Sequence, residues 1–200
     1  MIEEMLLERG ILVSYETVRC WGMKFGPAYA RDLCRKQPSR SDVWFLDEMR
    51  IVVAGNNHWF WRAVDQDGYV LGEIVQARRN TKAARRSPTR LLKKQGIAPK
   101  RMITDKLPSY EAARRQVMPT VERWSHKGLN NCAENSHMPL RKREWSMQGF
   151  RSPGSLQRFI SIFSAVRSLF VSPRSQRSAL GIRSHRLRAM AEWNAVTRAS

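Results

Sequence analysis

The chain has 200 residues and 42% hydrophobic content, which suits one ordinary domain with a small appendage and gives it enough apolar material for a core. Lys and Arg total 36 against 17 Asp and Glu, a net charge of +19 spread along the chain, which predicts a folded protein with a basic face rather than an acidic tail or tag. Cys20, Cys34 and Cys132 are odd in number and form no CxxC pair, which argues against a disulfide frame or a zinc site. No apolar run reaches membrane-spanning length, and Met1-Ile2-Glu3-Glu4 has no signal-peptide pattern, so the expectation is a cytoplasmic protein with no membrane partner.

Residues 2–9 place Ile2, Met5 and Leu6 on one helical face, and Gly10 is the stop. Ser14 is a good N-cap for a second helix. Val18, Trp21, Gly22 and Phe25 follow at helical spacing, and Gly26-Pro27 is the expected end. The helix-turn-helix shape fits a DNA reader, and on pattern alone an ordinary αα-hairpin is the better fit. Arg31 to Arg40 reads as a basic linker.

Residues 43–54, 58–64 and 69–76 read as three antiparallel strands. Asn56-Asn57 is the first expected turn and Asp65-Gln66-Asp67-Gly68 the second. A helix is expected over Thr81–Gln95, with Pro88 in its middle at a cost of about 3 kcal/mol. A fourth strand over 100–104, a helix over 109–117 and a short fifth strand over 119–124 follow. Asn130 to Gln148 reads as a long helix, and Leu156 to Phe170 as an amphipathic one. Residues 175–197 read as a basic helical tail. The order β-β-β-α-β-α-β-α predicts an α/β fold: a ribonuclease-H-like mixed sheet with flanking helices, preceded by a partial helix-turn-helix.

Three acidic residues carry the candidate chemistry. Asp47 is the one charge on the strand face formed by Val43, Phe45, Met49, Ile51 and Val53, and a buried carboxylate needs a metal, an arginine or backbone donors. Asp105 ends the apolar run Met102-Ile103-Thr104, where ligands of α/β sheets gather; alone, it reads as a turn residue before Lys106. Glu134 opens a helix, with Asn130, His137, Met138 and Arg141 on its face; alone, it reads as part of a solvated polar face. Together they have the layout of a two-metal phosphoryl-transfer site that takes Mg²⁺ or Mn²⁺. Asp65 and Asp67 are decoys, since Asp in a hairpin turn is ordinary turn chemistry.

The runs Val43-Trp44-Phe45-Leu46-Asp47-Glu48, Thr104-Asp105-Lys106 and Leu129-Asn130-Asn131-Cys132-Ala133-Glu134-Asn135-Ser136-His137 resemble the three blocks of the DDE transposases. The group they are most similar to is the bacterial family named for insertion sequence six. Arg62-Ala63-Val64-Asp65, Met147-Gln148-Gly149-Phe150 and Val13-Ser14-Tyr15-Glu16-Thr17-Val18-Arg19 also resemble it. The resemblance implies residues 1–36 as a partial DNA-binding region, 42–172 as the catalytic domain and 173–200 as the basic tail. It implies Asp47, Asp105 and Glu134 as the catalytic, metal-holding triad and Arg141 as the basic residue that follows the Glu. Lys106, Lys142, Arg143, Arg19 and Lys24 join Arg141 as candidate DNA contacts. The implied activity is cleavage and strand transfer at insertion-sequence ends. The implied partners are double-stranded DNA (inverted repeats and target) and further copies of the chain, in a homodimer or larger synaptic complex at the bacterial nucleoid.

The sequence also departs from the family. It reads as an N-terminally truncated copy: Pro88 interrupts an expected helix, Pro108 closely follows the second catalytic block, and Trp124, Cys132 and Trp145 stand on a surface expected to be basic or polar, which together look like drift. Two alternatives to the enzyme remain: a DNA-binding remnant without chemistry, and a structural RNA-binding protein. Three converging carboxylates separate the enzyme from the second alternative and leave the first open.

Overall fold

Residues 43–76 alternate and carry β-branched and aromatic side chains, and they fold as a three-stranded antiparallel meander: β1 (Val43–Val53), β2 (Asn56–Asp65) and β3 (Val70–Gln76). The computed structural model describes residues 2–35, 43–105, 108–125, 128–173 and 178–198. The first turn is Ala54-Gly55, with φ of 47° and 76°, rather than the expected Asn56-Asn57. Two successive positive φ values make a turn whose twist matches the strands, and glycine adopts one without strain. Asn56 and Asn57 instead pair with Val53 and Val52 as the first residues of β2, and Asn56 Nδ2 donates to the Ala54 carbonyl at 3.1 Å. The second turn is as expected: Asp65 Oδ1 accepts from the backbone of Asp67 and Tyr69 at 3.0 and 2.9 Å.

β4 (Arg101–Thr104) joins β1 in parallel, and β5 (Glu122–Trp124) joins β4, giving the order β3-β2-β1-β4-β5. Helices α3 (Thr81–Gln95) and α4 (Pro108–Val117) make the crossovers. They cover the face carrying Trp44, Leu46, Trp61, Ala63 and Leu71. Gly72 admits α3 closely, since a Cβ there would lie 2.7 Å from Leu91 Cδ2. Helices α5 (Asn131–Ser146) and α6 (Pro153–Phe170) cover the opposite face through Leu140, Leu156 and Ile160 packed on Met49, Ile51, Val53 and Phe60. Each fully buried large apolar side chain contributes about 1.5–3 kcal/mol. A mixed sheet with helices on both faces is the ribonuclease-H-like arrangement expected from the strand order.

The N-terminal helix α1 (Ile2–Leu7) runs into a turn that closes at Gly10, whose φ is 73°. Ser14 caps α2 (Tyr15–Arg35), its Oγ accepting from the Thr17 backbone at 3.2 Å. Gly26-Pro27 does not end α2, which runs 21 residues through both. The reason is tertiary: Ala30 and Leu33 bury against Ala165 and Leu169 of α6 and Ala189 and Val196 of α7 (Ala179–Arg198). Gly26 sits at that contact, where a Cβ would lie 2.8 Å from Ile162 Cδ1. The expected linker is thus helical as far as Arg35, and residues 36–42 lie outside the described residues.

Two prolines that look disruptive in the sequence are accommodated differently. Pro108 is the first residue of α4, where a missing N–H costs nothing. Pro88 is buried inside α3, and the helix continues through it. Asn80 caps its start by accepting from Ala83 N at 2.9 Å, and Gly96 ends it in the left-handed conformation. Thr89 Oγ1 donates to the Arg85 carbonyl at 2.8 Å beside the proline. These contacts hold the helix but do not replace the donor that Pro88 cannot offer the preceding turn. Pro88→Ala should therefore stabilise the fold by about 1–3 kcal/mol, read as a higher urea midpoint with an unchanged slope.

Candidate active site

β1 alternates between the two sheet faces, which sends Trp44, Leu46 and Glu48 towards α3 and α4, and Met49, Ile51 and Val53 towards α5 and α6. The parallel register of β1 and β4 ends at Leu46↔Thr104. Asp47, within β1, and Asp105, just past the end of β4, follow that pair, so the register delivers two carboxylates side by side. Arg123 on β5 fixes the backbone there: its Nε donates to Thr104 Oγ1 at 2.8 Å and its Nη2 to the Asp105 carbonyl at 2.7 Å. Among the described residues, carboxylate oxygens of Asp47, Glu48 and Asp105 all come within 4.8 Å of one another. This donor set is all hard oxygen, with no His or Cys, and it suits Mg²⁺ or Mn²⁺.

Helix α5 is docked beside this pair at its first turns. Asn130 Nδ2 donates to the Leu46 carbonyl at 3.0 Å, next to Asp47. Arg62 donates to the Ser136 carbonyl. His137 Nε2 lies 3.2 Å from Asp47 Oδ2, an off-axis approach that brings charge close without an aligned hydrogen bond. Glu134 stands exposed in the first turn of α5, outside the 4.8 Å cluster. The single face expected for Asn130, Glu134, His137, Met138 and Arg141 divides in two. Asn130 and His137 are buried against the sheet, while Glu134, Met138 and Arg141 face solvent. Cys132, expected on the surface, is buried against Val64 and donates to the Asp65 carbonyl at 3.6 Å.

Glu48 is the participant that sequence reasoning missed. Its Oε2 accepts from Tyr110 Oη at 2.6 Å, and its Oε1 accepts from Arg79 Nε at 2.9 Å and Nη2 at 2.5 Å. Burial raises its carboxyl above the usual glutamate range, against the lowering pull of Tyr110 and Arg79. The signal was available: Glu48 follows Asp47, so it occupies the Trp44–Leu46 face, where a charge needs a partner.

The basic candidates lie at three places. Arg141, Lys142 and Arg143 are exposed along α5. Arg19 and Lys24 are exposed on α2, with Arg19 paired to Glu16 at 2.5 Å. Lys106 lies outside the described residues. Of the suspect tryptophans, Trp124 is half-covered, with the Arg101 guanidinium 4.7 Å from its ring, and Trp145 is 90% exposed.

Burial lowers the basicity of His137, and the Arg62 charge adds to this, while Asp47 opposes it. The folded state therefore binds the proton less readily than the unfolded chain. Stability is intact above about pH 6.5 and falls as pH drops below it, by up to about 1.4 kcal/mol per pH unit for this one proton. Urea midpoints at pH 7.0 and 5.5 should differ more for the natural chain than for His137→Gln.

With the site described, its likeness to known proteins has physical content. A family model described as a DDE domain matches residues 41–172, which include β1 to β5, all three candidate carboxylates and helix α6. Transposases from Staphylococcus aureus for the insertion sequence-like element IS431mec are 28% identical over 156 residues, covering 76% of this chain and 69% of theirs. The transposase for element IS257 in transposon Tn4003, from the same organism, matches equally. In three dimensions the chain resembles a chain of the simian T-cell lymphotropic virus intasome in complex with a PP2A regulatory subunit. That likeness has a TM-score of 0.50 at 14% identity, covering 65% of this chain and half of that one. The catalytic core domain of BIV integrase aligns with a TM-score of 0.47 at 17% identity, over 76% of this chain and 97% of that domain. The chain belongs to the DDE transposases of the IS6-type insertion sequences, a family of polynucleotidyl transferases.

Proposed function

We propose that this chain cleaves and rejoins DNA strands at insertion-sequence ends, with Asp47, Asp105 and Glu134 as its catalytic carboxylates. The observation that carries the proposal is the parallel β1–β4 register, which sets Asp47, within β1, beside Asp105, just past the end of β4. Asp47 and Asp105 would hold Mg²⁺ or Mn²⁺, and Glu134 is the third ligand that the family motif assigns. When bound, the metal stabilises charge on the attacking and leaving oxygens of the phosphodiester. The chain's own residues position the substrate. Arg123 holds the end of β4, Asn130 ties the start of α5 to β1, and buried His137 backs Asp47.

DNA is proposed to lie along the exposed stripe of α5. Glu134, Met138, Arg141 and Trp145 follow one another at helical spacing and all face solvent. Eleven residues separate the first from the last, about 17 Å. Lys142 and Arg143 flank the stripe and would grip phosphates. Trp145 offers its ring to a base at the far end. The substrate is duplex DNA carrying inverted repeats, held between copies of the chain in the bacterial cytoplasm. No helix among the described residues is long and apolar enough to cross a membrane.

A second reading is a remnant that binds DNA without catalysis. It is favoured by one observation, that Glu134 stands outside the carboxylate cluster. The two readings part in a strand-transfer assay on a pre-cut end with Mn²⁺. The enzyme reading expects joining by the natural chain and none by Asp105→Asn. Inert protein that still binds DNA hands the case to the remnant. Under either reading, binding should be steeply salt-dependent. For 6–10 phosphate contacts, affinity should fall by about 10³–10⁵ between 50 and 200 mM salt. A flat titration by fluorescence anisotropy would remove the nucleic-acid reading altogether.

A further inference from the structure

Arg79 lies between β3 and α3, next to Asn80, the residue that caps α3. Its guanidinium clamps Glu48 Oε1 through two nitrogens, at 2.9 and 2.5 Å. The same Nη2 lies 3.7 Å from Asp105 Oδ2, within ion-pair range and beyond hydrogen-bond range. Its Cζ lies 4.8 Å from the Trp59 ring, which supports the fork from one side. Glu48 is fully buried and has both oxygens occupied, one by Arg79 and the other by Tyr110. What it does is hold a fixed positive charge against the carboxylate pair.

We infer that Arg79 is a built-in counter-cation of this site: tethered by Glu48, it competes with the divalent ion for the field of Asp105 and so sets how tightly the ion is held. The inference rests on the reading that Asp47 and Asp105 hold that ion. The geometry supports competition over simple support. A residue that merely positioned Asp105 would be expected to hydrogen-bond it, and Arg79 reaches it through charge alone. Like charges a few ångströms apart in a half-buried site repel strongly, and a divalent ion feels twice the repulsion of a monovalent one. The arginine is also about one-third exposed, so it has room to withdraw towards solvent along Trp59.

The test is Mn²⁺ binding, read from the electron paramagnetic resonance signal of free Mn²⁺. Five proteins are compared: the natural chain, Arg79→Gln, Arg79→Met, Arg79→Lys and Asp105→Asn. Arg79→Gln keeps a hydrogen bond for Glu48 and removes the charge, and it should bind Mn²⁺ about tenfold more tightly. Arg79→Lys keeps the charge, and its affinity should stay near that of the natural chain. Arg79→Met keeps the stem over Trp59 and serves as the second neutral variant if the glutamine form does not fold. Equal or weaker binding by the neutral variants, with clear binding by the natural chain, would overturn the inference and leave the metal reading standing. Binding unaffected by Asp105→Asn, or no binding by any protein, would defeat the metal reading and the inference with it.

Discussion

The buried contact between Arg62 and Glu73 is the constraint on which the rest of the architecture depends. Arg62 is 1% exposed, and its Nε and Nη2 reach Glu73 Oε1 at 2.9 and 2.5 Å. Ser164 of α6 donates to the same carboxylate oxygen at 2.8 Å, and Arg62 donates onward to the Ser136 carbonyl of α5. One guanidinium therefore ties β2, β3, α5 and α6 together. Burial raises the Glu73 carboxyl, and Arg62 is the charge that pulls it back down. Removing one partner of such a pair strands the other and costs about 3–5 kcal/mol. The pair's value lies in placement: Ser136 precedes His137, so the clamp that closes the sheet onto α5 also sets the residue facing Asp47.

The sequence carried the sheet well because its strands obey strong local rules. Alternation, a βαβ crossover and Asp-rich turn chemistry are short-range signals, and they lead to the right strand order. The errors arose where tertiary packing overrode local propensity. Gly26-Pro27 has the local chemistry of a helix end, yet Ala30 and Leu33 gain enough burial against α6 and α7 to carry α2 onward. Asn56-Asn57 is a better turn pair by composition than Ala54-Gly55. The observed register sets Phe60 opposite Met49, and both pack with Ile51 and Val53 in the core.

Within the site, legibility followed the same division. Asp47 was readable as the one charge on an apolar strand face and Asp105 as the end of an apolar run, and parallel pairing then brings them together. The division of α5 into a buried and an exposed side was not readable. Asn130, Glu134, His137 and Arg141 fit one polar face equally well, and only docking shows that Asn130 and His137 turn inward. Glu48 escaped notice because its partners, Arg79 and Tyr110, lie 31 and 62 residues away. A charge on a core face is a signal of such a partner even when the partner cannot be named.

The charge imbalance acquires a structural meaning from these contacts. Glu48, Asp65 and Glu73 are drawn inside, where arginine, tyrosine or backbone donors meet them. Asp47 and Asp105 are spent on the site. The acidic residues that would otherwise moderate the surface are thus partly withdrawn from it, while Arg141, Lys142 and Arg143 stay outside. A net charge of +19 is then expressed mainly as an outer field. On the proposed DNA path along α5, a polyanion would meet Glu134, Asp47 and Asp105 at one end of the stripe. Repulsion between phosphates and carboxylates there would oppose binding unless a cation sits between them. Arg79 supplies one such charge from the protein itself, and a divalent ion would supply more. Under the proposed function the same electrostatic problem, anionic substrate against anionic site, would be met twice beside one pair of neighbouring strands.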